Sequence, residues 1–280
     1  MNSTAKSLIF WLGVILLATL IWTVTNRRER SSAPSSEVSA TAWPGTIVDL
    51  SHTYDASTIF WPTAEPFKLD KVADGMTPGG YYYAANNFRT AEHGGTHIDA
   101  PVHFASGKHA VDGIPLDQLV GFAAVVDVAA KCEANADYLV TQADLEAWER
   151  THGQIPTGAI LLIRTDFSKH WPDAARYLGT AERGAAAVPK LHFPGVHPDA
   201  ARWIVANRSI KALGIDTASI DYGQSTDYQT HRALYERDIP GLENLTNLDR
   251  LSPSGAQIVA LPMKIGGGSG APLRAIAIVR

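Results

Sequence analysis

Three histidines and one aspartate fall within residues 93–103, and their types and spacing suit metal binding and proton transfer. They are His93, His97, Asp99 and His103. Imidazole nitrogens and carboxylate oxygens are ligands that zinc and manganese accept in proteins, and imidazole also transfers protons near neutral pH. Residues 96–104 alternate in character, which predicts a β-strand with His97, Asp99 and His103 on one face. The apolar face would carry Ile98, Ala100, Val102 and Phe104.

Two glycines between His93 and His97 determine how the first histidine reaches the others. A spacing of four would also place both imidazoles on one face of a helix. Gly94, Gly95 and the nearby Pro101 disfavour a helix, and glycine leaves the backbone free to turn. We therefore expect His93 to fold back toward His97 and Asp99, so that three ligands converge on one metal ion.

A second pair of candidate ligands, His231 and Glu243, stands much farther along the chain. Glu243 lies between Leu242 and Leu245, in a segment that should be buried. An ionised carboxylate loses several kcal/mol of solvation on burial unless it is paired or binds a metal. A metal ion would supply such a partner for Glu243, with His231 as a nearby donor.

Two other segments have weaker chemical signals. Asp216 and Asp221 follow a predicted strand, at the end where sites on α/β sheets gather, and we expect Asp216 to accept hydrogen bonds from backbone amides. Residues 266–270 read Gly-Gly-Gly-Ser-Gly but lack the Lys-Ser or Lys-Thr of a phosphate-binding loop. They predict a flexible turn or a lid over the site.

The composition indicates a folded domain of ordinary charge. The chain has 280 residues, 45% of them hydrophobic, and a formal net charge of -4, so it can bury a sizeable core. The body contains no basic run, which argues against a nucleic-acid partner and leaves small molecules as substrates. Cys132 is the single cysteine, which excludes an intrachain disulfide and a cysteine-only zinc site.

The N-terminal segment predicts attachment to a membrane. Residues 7–26 carry no charge and are long enough to cross a bilayer as a helix, so residues 1–26 are expected to form a single-pass anchor. A cleaved secretory signal is the alternative, with small residues near Ala40. Arg27, Arg28 and Arg30 follow the apolar run, which favours a cytoplasmic catalytic domain under the positive-inside rule. Residues 27–42 predict a flexible linker, and residues 43–280 the folded domain.

The elements that must position the candidate ligands alternate between strands and helices. Continuous apolar runs at 123–128 and 159–163 predict strands covered on both faces. Further strands are predicted at 46–50, 210–215, 256–261 and 275–279, and helices at 141–153 and 198–207. The predicted class is α/β, with a mixed β-sheet flanked by helices.

Two aromatic residues in a proline-flanked loop, Phe60 and Trp61, are open to two interpretations. They either plug the core or form the wall of an aromatic substrate pocket.

The residues from His93 to Phe104 resemble the His-x-Gly-Thr-His-x-Asp-x-Pro-x-His pattern of the cyclase family of metal-dependent hydrolases, which includes bacterial kynurenine formamidases and isatin hydrolases. Similar segments run through residues 45–280, namely Asp49-Leu50-Ser51, Trp61-Pro62, Gly214-Ile215-Asp216, the pair His231 and Glu243, and residues 272–275. Residues 190–197 and 221–224 are more similar to the isatin hydrolases, a branch described with one manganese, than to the formamidases.

This resemblance implies roles for the candidate residues. Those matching His93, His97 and Asp99 bind the first metal in the family. In the two-metal formamidases, the residues matching Asp99, His231 and Glu243 hold a second ion, and the aspartate bridges the two. The residue matching His103 serves in acid-base catalysis. One or two zinc or manganese ions per subunit, and a homodimer or larger oligomer, are therefore expected.

The expected activity is hydrolysis of the C–N bond of a small, non-peptide amide by metal-activated water, with His103 as general acid and base. The first candidate substrate is an aryl formamide of the N-formylkynurenine type. The alternative is a cyclic amide of the isatin type. A third hypothesis is a membrane-tethered protein that binds metal or ligand without turnover.

Overall fold

The structure, a computed structural model, describes residues 45–279. Strands within this range have the bounds β1 Thr46–Asp49, β2 Lys68–Met76, β3 Tyr82–Arg89, β4 His97–Asp99, β5 Val120–Asp127, β6 Leu139–Val140, β7 Ala159–Arg164, β8 Gly195–Val196, β9 Ile210–Ile215, β10 Gly241–Glu243, β11 Ser254–Pro262 and β12 Gly270–Val279. Five helices accompany them in residues 45–279: α1 Ala129–Ala134, α2 Gln142–His152, α3 Ala174–Leu178, α4 Pro198–Asn207 and α5 Gln229–Tyr235.

The main sheet closes on itself. Its eight strands run in the order β1-β12-β11-β5-β7-β9-β10-β4, and the start of β12 also pairs with β4, so that seven of them form a ring. Strands β5, β7, β9 and β10 are parallel, whereas β4, β11 and β12 join their neighbours in antiparallel pairs. The predicted mixed α/β sheet is therefore correct, but its closure into a barrel was not predicted.

Both faces of the parallel strands are buried, as their continuous apolar sequences predict. In β7, Ile160 and Leu162 join the apolar cluster that fills the ring, together with Ile98 of β4. Leu161 and Ile163 point the other way, into a cluster shared with Leu145 and Ile204 of the surrounding helices. Alternating side chains of one strand thus build two cores.

The predicted helix boundaries match the structure. In α2, Asp144 accepts a hydrogen bond from the backbone N–H of Thr141 at 2.7 Å, and Gly153 ends the helix with φ 85°. In α4, Pro198 occupies the first turn, where its missing N–H leaves no helical bond unmade.

A β-hairpin formed by β2 and β3 was not predicted from the sequence. These strands pair with each other and with no other strand of residues 45–279. Most of their residues are exposed, so the hairpin lacks the alternation that burial of one face imposes. Its exposed apolar side chains are Leu69, Val72, Met76, Tyr81, Tyr82, Tyr83 and Phe88, with Tyr81 in the turn.

The predicted anchor of residues 1–26 and the predicted linker of residues 27–42 lie outside the described residues. Among the helices of residues 45–279, none combines the length and apolarity that crossing a bilayer requires.

Candidate metal centre

The pairing of β4 with β10 brings three of the predicted ligands together. His97 lies opposite Glu243, and Asp99 lies opposite Gly241. Ile98 and Leu242, one position along, point into the apolar interior of the ring. The period-2 geometry of a strand therefore directs His97, Asp99 and Glu243 to the outer face, where all three are buried.

His97 has a nitrogen that needs a partner. Its Nδ1 lies 3.0 Å from the carbonyl oxygen of Gly95. Its Nε2 lies 3.1 Å from Asp99 Oδ1 and 3.4 Å from Glu243 Oε2, yet it is buried without a hydrogen bond of acceptable geometry among the described residues. If Nδ1 carries the proton, a lone pair on Nε2 faces two carboxylates, an arrangement that a cation would stabilise.

The backbone turn at Gly94 and Gly95 places His93 as predicted. Gly95 has φ 57°, and a Cβ there would meet the ring of Tyr54 at 2.6 Å. A Cβ on Gly94 would lie 2.0 Å from the ring of Phe60. The turn requires glycine at both positions, and it brings His93 Nδ1 to 2.6 Å from Asp99 Oδ1.

His103 reaches the cluster by a route that differs from the prediction. Strand β4 ends at Asp99, and Pro101–His103 form a single 3-10 turn, so the expected strand through residue 104 is wrong. Proline fits the first position of such a turn, and the N–H of His103 donates to the carbonyl of Ala100 at 2.9 Å. The turn stacks His103 on His93 with ring centroids 3.8 Å apart, and places His103 Nε2 3.9 Å from Asp99 Oδ2.

His231 enters from α5 and closes the cluster. Its Nε2 lies 3.2 Å from Glu243 Oε1 and 3.4 Å from Asp99 Oδ2. Its Nδ1 lies 2.5 Å from Asp221 Oδ2, and Asp221 also accepts the backbone N–H of His231 at 3.1 Å. Asp221 is therefore a positioning residue for His231, a role that the sequence analysis did not assign to it.

Tyr235 is a second residue that the sequence analysis missed. Its hydroxyl donates to Asp99 Oδ2 at 2.9 Å, one turn of α5 beyond His231. A Cβ on Gly241 would lie 2.6 Å from this hydroxyl, so glycine at 241 leaves room for the contact. The spacing of His231 and Tyr235, four apart on one helix, is the sequence signal that would have identified Tyr235.

The electrostatics of the cluster balance buried carboxylates against imidazoles. Burial opposes ionisation of Asp99 most strongly, but His93, His231 and His97 together hold its pKa well below the usual range. Burial likewise acts to lower the pKa of His231, but hydrogen bonds with Asp221 and interactions with Asp99 and Glu243 raise it well above the usual value. Positive charge at this position is therefore strongly favoured.

These residues fit a divalent metal ion. Two sets of residues could each hold a metal ion, because the potential ligand atoms within each set lie no more than 4.8 Å apart. The first set is His93, Asp99 and His103, and the second is His97, Asp99 and Glu243. Asp99 belongs to both sets, and the donors are the imidazole and carboxylate groups that zinc and manganese accept. The unpartnered Nε2 of His97 is the structural observation that supports metal binding.

A cavity of about 310 Å³ opens above the cluster, a volume that suits a small molecule. Phe60 and Trp61 line it, as one of the two interpretations predicts, although Phe60 also packs on Gly94. Phe104 lines the cavity too, because the 3-10 turn removes it from the apolar face of the predicted strand. The other lining residues are Ile59, Ala64, Ala218, Ser219, Tyr228 and Asn244 beside His93, Gly94, His97, Asp99, His103, His231 and Glu243.

Two weaker predictions have different outcomes. Asp216 accepts hydrogen bonds from the backbone N–H groups of Thr165 and Asp166, both at 2.8 Å, which confirms its structural role. Gly266 and Gly267 lie in a turn, as predicted. The end of the glycine-rich segment is held against β4, because the carbonyl of Ser269 accepts the N–H of Ala100 at 2.8 Å and Gly270 pairs with Asp99.

The barrel and its buried histidine and carboxylate cluster, at the base of a small cavity, define the class of a metal-dependent hydrolase. The sequence profile of the Cyclase family ("Putative cyclase") matches residues 48–222. The isatin hydrolase of Roseibium aggregatum is 34% identical over 208 residues, which are 71% of this chain and 76% of that protein. The kynurenine formamidase of Salinibacter ruber is 30% identical over 230 residues, covering 82% of this chain and 96% of that protein.

A solved structure agrees with these sequence matches. Isatin hydrolase A from Ralstonia solanacearum superimposes with a TM-score of 0.75 at 37% identity, over 84% of this chain and 92% of that chain. This chain belongs to the cyclase family. It is an amidohydrolase acting on non-peptide C–N bonds, which confirms the class predicted from the sequence.

Proposed function

We propose that this enzyme opens the ring of a small aromatic cyclic amide by hydrolysing its C–N bond. The observation that carries the proposal is the cavity itself, which has a floor of imidazole and carboxylate groups and walls formed by Phe60, Trp61, Phe104 and Tyr228. Flat aromatic walls suit a flat fused-ring substrate, and the polar floor would face its amide carbonyl. The identities of 34% and 37% to the isatin hydrolases of Roseibium aggregatum and Ralstonia solanacearum, against 30% to the formamidase of Salinibacter ruber, support the cyclic substrate.

The metal requirement is part of this proposal. One or two zinc or manganese ions would be held by His93, His97 and Asp99, with Asp99, His231 and Glu243 as the second set. A divalent ion in such a site supplies Lewis acidity, which polarises a carbonyl and makes water a stronger acid. Asp99 could serve both ions, because its Oδ1 lies 2.6 Å from Nδ1 of His93 and its Oδ2 lies 3.4 Å from Nε2 of His231.

His103 is the proposed acid-base group. Burial lowers its pKa to about 4, against the attraction of Asp99, so the ring is neutral at pH 7 and able to accept a proton. Its exposed fraction of 30% and its place in the cavity wall give it access to substrate. It would take a proton from the attacking water and return one to the leaving nitrogen.

An aryl formamide is the second candidate substrate. The 30% identity to the Salinibacter ruber kynurenine formamidase, over nearly the whole of that protein, supports it. In an aryl formamide the planar amide can turn about the bond between the ring and nitrogen, whereas a cyclic amide holds the carbonyl in the plane of the ring. The same floor of ligands serves both reactions, so the cavity walls would decide between them.

A substrate panel tests the proposal. Purified protein is treated with chelator, reloaded with manganese or zinc, and assayed with isatin, N-formylkynurenine and a simple aromatic lactone. We expect metal-dependent turnover, with the highest kcat/KM for isatin. A higher kcat/KM for N-formylkynurenine than for isatin would identify the formamide as the preferred substrate. Full activity in the chelated protein would refute the metal mechanism. No turnover of any of the three compounds would favour a binding protein.

We further propose that two copies of the chain associate through the β2–β3 hairpin. Its exposed side chains include Leu69 at 57%, Met76 at 69% and Phe88 at 52%, and a second copy would cover them. Light scattering of the full chain would show a dimer, and Leu69→Lys would shift it toward monomer.

Membrane attachment through residues 1–26, with the catalytic domain on the cytoplasmic side, is a separate proposal that rests on the sequence. Carbonate extraction of membranes tests the anchor, and protease protection in sealed vesicles tests the side.

A further inference from the structure

A chain of four polar side chains links the surface side of the cluster to Asp99. Glu92 Oε2 accepts both the backbone N–H of Ser269 at 3.0 Å and the hydroxyl of Ser269 at 2.6 Å. Ser269 Oγ lies 2.9 Å from Nε2 of His93, and Nδ1 of His93 lies 2.6 Å from Asp99 Oδ1. Glu92 directly precedes the histidine motif, whereas Ser269 comes from the glycine-rich segment at the other end of the domain.

The protons in this chain can be assigned one by one. The hydroxyl of Ser269 donates its proton to Oε2 of Glu92 at 2.6 Å. Ser269 Oγ is then left as an acceptor, and the N–H that it accepts must be on Nε2 of His93. A neutral His93 with its proton on Nε2 has a lone pair on Nδ1, and that lone pair faces the carboxylate of Asp99.

Two acceptors at 2.6 Å repel each other unless a cation lies beside both. A proton on Nδ1 would remove this repulsion only by making His93 an imidazolium. A divalent ion bound by Nδ1 and Asp99 would remove the repulsion and leave the ring neutral. Metal-binding histidines commonly donate their other N–H to a fixed acceptor in this way, which sets the tautomer and the ring orientation.

The same atoms also have the connectivity of a serine, histidine and aspartate triad, with Ser269 Oγ at Nε2 and Asp99 at Nδ1. Two observations argue against a nucleophilic serine. The proton of Ser269 is directed to Glu92 and away from His93, and Ser269 is absent from the residues that line the cavity. The ring of His93 also packs closely on Gly270, since a Cβ at that position would lie 2.5 Å from Cε1 of His93. Ser269 and Gly270 together therefore fix the orientation of the ring.

We propose that Glu92 and Ser269 are positioning residues that hold His93 in its Nε2-protonated tautomer and so direct Nδ1 to a divalent metal ion beside Asp99. This inference rests on the proposed metal-dependent function and deepens it. It names the ligating nitrogen, and it gives the glycine-rich segment a role in metal binding.

Metal affinity is the decisive measurement, because it reports on the ligands of the site independently of catalysis. Chelator competition with zinc and with manganese gives the dissociation constant for wild type, Ser269→Ala and Glu92→Ala. We expect each variant to bind about 10- to 100-fold more weakly, the usual loss for such supporting contacts. Ser269→Thr and Glu92→Gln keep the hydroxyl and a carbonyl acceptor, so they should recover most of the affinity. Ser57→Ala is the matched control, since it removes a serine bond to Asp55 of the same 2.6 Å length away from the cluster.

The double variant Ser269→Ala/Glu92→Ala tests whether the two residues act in series. We expect it to bind metal no more weakly than Ser269→Ala, because removal of the hydroxyl already disconnects Glu92. In zinc-loaded protein with ¹⁵N-labelled histidine, the His93 signals, assigned by their loss in His93→Gln, should show a protonated Nε2 and a zinc-bound Nδ1. Circular dichroism of each variant verifies folding.

Several results would overturn this inference. Affinity of Ser269→Ala equal to wild type, or a zinc-bound Nε2 on His93, would refute it while leaving the metal-dependent function intact. A wild-type protein that takes up no divalent ion would refute both. Turnover that survives chelation in wild type and is lost in Ser269→Ala would replace both with a serine nucleophile.

Discussion

His97 and Glu243 face each other across the antiparallel pair of β4 and β10, with His97 Nε2 3.4 Å from Glu243 Oε2. They are 146 residues apart in sequence, yet strand register makes them neighbours. The same register turns Ile98 and Leu242 into the apolar interior, so the core that holds the barrel closed also orients the candidate ligands.

Replacement of His103 by alanine should separate catalysis from metal binding. His103→Ala is expected to keep its metal content and to lose turnover by about 10²- to 10⁴-fold, the usual contribution of an acid-base group. The measurements are kcat at saturating metal and elemental analysis of the purified protein. His109→Ala is the control, because His109 pairs with Asp238 and does not line the cavity. Equal losses of kcat in both variants would contradict the role of His103.

The number of metal ions should depend on Glu243. If two ions bind, Glu243→Ala should lower the metal content by one ion per subunit, because Glu243 lies with His231 in the second proposed set of ligands. Asp99→Ala should lose both ions, since Asp99 lies beside His93 of the first set and His231 of the second. Elemental analysis after gel filtration provides the count. An unchanged ratio in Glu243→Ala would leave a single ion bound by the first set.

Trp61 should contribute to substrate affinity without affecting the metal. Its ring lines the cavity and packs edge-on against Phe193 with centroids 6.4 Å apart. Trp61→Ala is expected to raise KM for an aromatic amide by about 2- to 10-fold, since an aromatic pair is worth about 0.5–1.5 kcal/mol beyond area burial. Trp61→Phe should retain part of the effect. Steady-state kinetics with matched metal loading test this, and an unchanged KM would make Trp61 a packing residue only.

His52 should make the domain sensitive to acid. Burial lowers its pKa from 6.5 to about 4, against the attraction of Asp49, and its ring stacks on Trp171 at 4.1 Å. Because the folded-state pKa is depressed, this contribution to stability is fully present above pH 6.5 and is lost as the pH falls toward 4. The loss is up to about 3 kcal/mol over this interval.

The variant His52→Phe keeps an aromatic ring against Trp171 and removes the titration. Its free energy of unfolding, measured by urea denaturation from pH 8 to pH 4, should fall less steeply than that of wild type below pH 6.5. Parallel curves for the two proteins would show that His52 does not titrate with unfolding.

Gly94 should be intolerant of any side chain. A Cβ would enter the ring of Phe60 at 2.0 Å, and the backbone has φ 155°. Gly94→Ala is expected to displace Phe60 from the cavity wall and to destabilise the domain by about 1–3 kcal/mol, as overpacking does. Thermal denaturation measures this change. Gly107→Ala is a control, since that glycine also has positive φ and no atom lies within 4 Å of the position that its Cβ would occupy.

The sequence by itself determined the α/β class, the helices at 141–153 and 198–207, and which histidines and carboxylates form the candidate metal centre. Periodicity, caps and short-range spacing are local properties, so they can be read from neighbouring residues. The turn at Gly94 and Gly95 belongs to this group as well, because the backbone freedom of two adjacent glycines is a local property.

Only the tertiary structure decided how the site is assembled. Contacts between distant segments close β12 onto β4 and position the 3-10 turn that carries His103. Such contacts also bring Asp221, Tyr235 and Ser269 to the site. Apart from the four-residue spacing of His231 and Tyr235, strand pairing and side-chain hydrogen bonds of this kind leave no periodic trace in a single sequence. The reason is physical, since a hydrogen bond between residues more than 100 positions apart, such as that of Tyr235 with Asp99, constrains the folded chain without restricting which residues stand between them.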